Sequence, residues 1–139
     1  MNSKAWLERF IDAAFNGDVA QVLFFLEAGA DVNEMGRNWN PLHAAIENEQ
    51  VETVPILLQA GADPNFSIGD FTPLYHAIDT QIDGYQQTLA TKLPSADLVK
   101  LLVEAGADVN AEGKGQTPLQ MAEERGHKAA AEYLLTLKT

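Results

Sequence analysis

Three near-identical heptapeptides constrain this chain more than any other feature: EAGADVN from Glu27 to Asn33, QAGADPN from Gln59 to Asn65, and EAGADVN from Glu104 to Asn110. A second signature begins seven residues after each closing asparagine: NPLHAA at Asn40, TPLYHA at Thr72 and TPLQMA at Thr117. Two motifs held in one phase three times over mean repeated supersecondary units. Each unit is too small to bury its apolar face alone and must stack on its neighbours. Such a chain is expected to present a surface rather than a catalytic pocket.

Each unit reads as two helices and a finger. Pro41 opens helix A of the second unit at its first turn, where a missing N–H costs no bond. Asn40, Thr72 and Thr117 stand where N-caps belong. The small Ala44 and Ala45 allow neighbouring units to approach closely. After a turn at Asn48 to Gln50, helix B spans Val51 to Gln59, with Val54, Ile56, Leu57 and Leu58 as its apolar residues. Leu98, Val99, Leu101 and Leu102 repeat that pattern. Gly29, Gly61 and Gly106 end the B helices. Fingers such as Asn33 to Asn40 then connect the units, with Gly36, Gly69, Gly113 and Gly115 at points where positive φ is expected. Asp31, Asp63 and Asp108 read as turn formers. Pro55 falls inside the second helix B, where it is expected to delete one helical hydrogen bond and kink the outer face.

These motifs, with the apolar helix between them, resemble the ankyrin-repeat family over nearly the whole chain. The resemblance implies an all-α solenoid forming a single domain over 1–139, with short finger hairpins. Its four helix-turn-helix repeats fall at 4–33, 34–65, 66–110 and 111–139. The first repeat (Lys4 to Phe15, a turn at Asn16-Gly17-Asp18, then Val19 to Ala28) lacks the proline-opened start and suits an N-terminal cap. The last supplies a polar outer face through Glu123, Glu124, Arg125, Lys128, Glu132 and Lys138, which suits a C-terminal cap. The period breaks once: Asn33 to Asn65 is 32 residues, but Asn65 to Asn110 is 45. Alignment places the extra segment, IDGYQQTLATKL, at 82–93, between helices A and B of repeat three. Asp83-Gly84 reads as a turn, and Gln86 to Lys92 as an added helical turn. Insertions in solenoids often fall on the binding face, and Tyr85 offers an aromatic with a polar tip. A tolerated, mobile loop is the alternative, because lengthening a loop costs little.

The chemistry of catalysis is missing from the sequence. There is no cysteine, so disulfides, thiol catalysis and cysteine-bound zinc are excluded. His43, His76 and His127 lie in separate repeats without metal-ligand spacing. Ser3, Ser67 and Ser95 carry no nucleophile-elbow motif, and no phosphate loop occurs. The expectation is a non-enzyme without cofactor or metal. Met1 to Ala14 mixes Lys4, Glu8, Arg9 and Asp12 among its apolar residues, unlike a signal peptide. No stretch approaches a membrane span, so the protein is expected to be cytoplasmic. Nine basic residues against twenty acidic ones give a net charge of −11. That field repels nucleic acid and anionic membranes and speeds encounter with a basic partner. Solubility alone is the competing explanation.

The resemblance also implies where a partner binds. Family members use a concave side made of finger tips and exposed faces of the A helices. Carried over residue by residue, the position before each cap is Trp39, Phe71 and Gln116. Trp39 and Phe71 are expected either to stand exposed as binding anchors or to fold back on their own hairpins. Glu47, Asp79 and Glu124 in the outer turns of the A helices, with Asp12 and Asp70, form an acidic strip. His76, expected on the exposed side of Tyr75, and Tyr85 complete the set. The surface suits a protein partner carrying Lys or Arg around an apolar pocket, bound by a chain that is monomeric when free. Small size, whole-chain repeat content and acidity look like the ankyrin-type immunity proteins of bacterial toxin systems, which would make the partner a basic toxin. The alternative is a regulatory or scaffold subunit of a larger assembly.

Overall fold

Eight α-helices account for nearly all regular structure in this computed structural model, which describes residues 3–88 and 96–137. They run α1 (Ser3–Asn16), α2 (Val19–Glu27), α3 (Pro41–Glu47), α4 (Thr53–Gln59), α5 (Pro73–Thr88), α6 (Asp97–Glu104), α7 (Pro118–Arg125) and α8 (Lys128–Thr136). They pair as consecutive A and B helices, giving an all-α repeat fold. The chain divides into two compact units, Met1–Asp63 and Pro64–Thr139.

In the first unit α1 packs against both α2 and α3. Asp18 caps α2 by accepting the Gln21 N–H at 3.2 Å, and Asn40 caps α3 by accepting the His43 N–H at 2.9 Å. Pro41 occupies the first turn, as its missing donor favours. Phe10, Ala14, Val22, Ile46, Val54 and Leu57 are fully buried. Phe25 centres an aromatic cluster, with Trp6 edge-on at 5.0 Å and Phe10 tilted at 5.7 Å. At the end of α1 the Phe15 carbonyl accepts from both Asn48 Nδ2 (2.9 Å) and Gln50 Nε2 (3.0 Å). Those side chains satisfy an acceptor that a helix C-terminus leaves open.

The second unit repeats the scheme. Thr72 accepts the Tyr75 N–H, and Thr117 forms a reciprocal capping box with Gln120. His127 serves as the cap of α8, its Nδ1 accepting the Ala130 N–H at 3.2 Å. Leu74, Ile78, Leu98, Leu102 and Met121 form the core.

Within each unit one asparagine ties successive repeat ends together. Asn33 Nδ2 donates to the Gly61 carbonyl at 3.0 Å while its Oδ1 accepts the Asp63 N–H at 2.7 Å. Asn65 does the same to Gly106 and Asp108, at 3.1 and 2.7 Å. The aspartates of the motif turn the chain: Asp31 and Asp108 accept the Asn33 and Asn110 N–H groups, each at 2.9 Å.

Three sequence expectations are corrected. α4 begins at Thr53, not Val51, so Pro55 is its third residue. The N–H groups of a helix's first turn have no intrahelical acceptor, and Pro55 therefore deletes no helical bond. Asp83-Gly84 is not a turn: residues 82–88 continue helix A of repeat three, making α5 sixteen residues long against seven for α3. Leu89 to Leu93, the rest of the insertion, and the side chain of Tyr85 lie outside the described residues. Finally, Gly36 and Gly113 are not positive-φ positions. They are glycines for space. A Cβ on Gly113 would lie 2.5 Å from Tyr75 Cδ2 and 2.6 Å from the Asp70 carbonyl oxygen.

Candidate protein-interaction surface

The finger turns share one construction. Gly36 donates its N–H to the Trp39 carbonyl at 2.9 Å. Ile68 and Phe71 exchange two backbone bonds, at 2.8 and 3.0 Å, and Gly113 and Gln116 exchange two at 2.9 and 3.0 Å. Each turn therefore delivers Trp39, Phe71 or Gln116 directly before a helix cap, as the motif spacing implied.

Both aromatics fold back onto their own units while staying half-exposed. Trp39 packs on Leu7, Ile11 and Ala44 and stacks on His43, with ring centroids 6.0 Å apart and planes 9° from parallel. Phe71 lies 5.6 Å from both Tyr75 and His76, and the Lys114 ammonium sits 5.6 Å from its ring centroid.

His76 is not on an exposed side. It is 2% exposed, and burial pushes its pKa down to about 4 against the opposing pull of Asp79. It is a neutral part of the core, so it makes no surface contact. Burial also lowers the pKa of His127.

The acidic strip is less uniform than the sequence suggests. Arg125 Nη1 pairs with Asp79 Oδ1 at 2.6 Å, and Gln116 Nε2 donates to Glu124 Oε2. Asp12 and Asp70 are exposed, and Glu47 is half-buried. The pairing of Asp79 with Arg125 removes one negative charge from the strip in the second unit.

One feature of the first unit was not singled out from the sequence. A groove of about 870 Å³ runs between α1 and the finger, lined by Glu8, Asp12, Met35, Gly36, Arg37 and Asn38. The Arg37 N–H donates to Glu8 Oε1 at 2.8 Å, fixing the finger against α1. Gly36 is the residue that signals it: a Cβ there would lie 2.4 Å from Ile11 Cδ1 and 2.7 Å from Glu8 Oε1.

Among the described residues no His, Cys, Asp or Glu cluster has the makings of a metal site, and no helix is long and apolar enough to cross a membrane. The family model described as ankyrin repeats (3 copies) matches residues 10–91, and that of a single ankyrin repeat matches residues 69–114. No curated protein matches the chain. Ankyrin repeats mediate protein–protein interaction, typically without catalysis. With capped helix pairs, glycine-bounded fingers and a family match over more than half its length, the chain belongs to the ankyrin-repeat family.

Proposed function

We propose that this protein binds a basic protein partner through its finger turns and the exposed flanks of its A helices, and that it acts as an inhibitor of that partner in the manner of an immunity protein. The observation carrying this reading is the half-exposed aromatic at two finger ends beside exposed carboxylates, on a chain of net charge −11. In the first unit the contact residues are Trp39 and Glu47, with Glu8 and Asp12 from the groove; in the second they are Phe71 and Asp70, with Asp79 and Glu124 from a partly paired edge. Exposed carboxylates around an aromatic give both steering and register to a partner rich in Lys and Arg. The free protein is taken to be monomeric and cytoplasmic, without nucleic-acid or membrane ligands.

The test is affinity capture followed by calorimetry on the recovered partner. Asp70→Lys and Asp12→Lys are each expected to weaken binding by about tenfold or more, with affinity falling as salt rises. Loss of the partner's own activity on binding supports inhibition, whereas a constitutive complex with activity intact supports a scaffold subunit. Affinity indifferent to salt and to both charge reversals would sink the basic-partner reading.

A further inference from the structure

The first repeat carries a second, aromatic groove away from its finger. It lies between α1 and α2, encloses about 470 Å³, and is lined by Trp6, Arg9, Asp12, Asp18, Phe24 and Phe25, among others. Its aromatic floor is ordered: Trp6 meets Phe25 edge-on at 5.0 Å, and Phe24 meets Phe25 edge-on at 5.4 Å. Phe24 is nevertheless 58% exposed, and Leu23 (44%) and Phe15 (38%) stand exposed on the same helix pair. Single exposed apolar residues are ordinary, but Phe24 is a large ring left open directly on an aromatic groove, the setting in which exposed apolar surface marks an interaction site. The α2 sequence VAQVLFFLE places apolar residues on more than one face of that helix.

We propose that this groove docks a basic amphipathic helix of a protein partner. The α1 residues along it run from Trp6 to Asn16, which is about 15 Å of helix at 1.5 Å per residue, the length of roughly three turns of a helix laid alongside. A groove between two packed helices receives a third through apolar anchors at helical spacing. The anchor sets against Phe24 and Trp6, and Lys or Arg beside it reach Asp12 and Asp18. Charge decides against a second copy of this chain as the occupant. Through Asp63 the chain holds three basic against ten acidic residues, a net −7, so two copies of this unit repel as they approach, although the groove lining itself sets Arg9 against Asp12 and Asp18. Asp12 lines both this groove and the one beside the finger, so the α1 helix separates two docking surfaces of one unit. The two grooves share Asp12, but Phe24 takes no part in the finger surface.

Amide chemical-shift mapping by NMR tests the proposal, using a synthetic amphipathic helical peptide of Leu and Lys and its counterpart with Glu for Lys. The expected result is saturable shifts in α1 and α2, including the Trp6 indole, with the Lys peptide only. Phe24→Glu is expected to raise the Kd by about tenfold or more and Asp12→Lys to weaken it further, while Asp70→Lys leaves it unchanged. Should Phe24→Glu fail to fold, Phe24→Ser serves in its place. Shifts mapping to the finger turns, equal binding of the Glu peptide, or no shift at all each overturn it. So does a molecular mass by light scattering that doubles with concentration and reverts in Phe24→Glu, since the occupant is then a second copy.

Discussion

Asparagine at the end of each heptapeptide supplies a perturbation with a built-in control. Asn65→Ala removes two hydrogen bonds, one to the Gly106 carbonyl and one from the Asp108 N–H. A hydrogen bond contributes about 0.5–1.5 kcal/mol net. The site is exposed, so water replaces part of what is lost, and the expected cost is about 1–2 kcal/mol. Asn33→Ala removes the matching pair to Gly61 and Asp63 and is expected to cost the same. Asn110 occupies the third copy, yet its side chain makes no hydrogen bond among the described residues. Asn110→Ala is therefore expected to stay within about 0.5 kcal/mol of the parent. Urea unfolding followed by circular dichroism reads all three, and for a chain of this length 1 kcal/mol moves Tm by about 3–5 °C. If Asn110→Ala costs as much as Asn65→Ala, the residue acts through its own turn, and the bridging argument is wrong.

Further outcomes are expected from the same assay. Leu57→Ala and Leu102→Ala, each at a fully buried position, leave cavities costing about 2–5 kcal/mol. Gly113→Ala drives a Cβ into Tyr75 and the Asp70 carbonyl and should cost about 1–3 kcal/mol, whereas Gly115→Ala meets open space and carries only the strain of its φ of +79°, about 1 kcal/mol. His76 has a folded pKa of about 4 against an ordinary 6.5. Its neutral burial thus contributes fully above pH 6.5 and is lost as pH falls to about 4, at most roughly 3 kcal/mol in all. A His76→Gln variant whose urea midpoint declines as steeply between pH 7 and 4 as the parent's would remove His76 from the acid response.

The parts of the fold legible in the sequence are those that local backbone demands encode. Asn40, Thr72 and Thr117 are caps because a helix start needs an acceptor there. Asp31 and Asp108 turn the chain because a short carboxylate reaches the N–H two residues on. The start of α4 was harder to read, because Glu52 stands at its cap without a side-chain bond and Val51 continues the apolar pattern. Asp-Gly reads as a turn in isolation, yet Gly84 costs a helix only about 1 kcal/mol, and α5 runs on through it. The candidate surface was legible as positions but not as contacts. Glu8 meets Arg37 across 29 residues and Arg125 meets Asp79 across 46, and no local pattern announces such pairings. The same holds for His76, whose burial depends on Phe71 and the fold around it rather than on its neighbours in the motif.

The asparagine bridges have a consequence for what this chain tolerates. Asn33 reaches Gly61 across 28 residues and Asn65 reaches Gly106 across 41, yet the bonds measure 3.0 and 3.1 Å. The bridge is thus indifferent to how much chain lies between its ends. Closing the longer segment costs only about 0.3 kcal/mol more in chain entropy, less than either bond contributes. Segment length is therefore an independent variable, open to exchange while the scaffold keeps its register. Residues added between Asn65 and Gly106 are expected to leave both bridge bonds, and the register that they fix, in place.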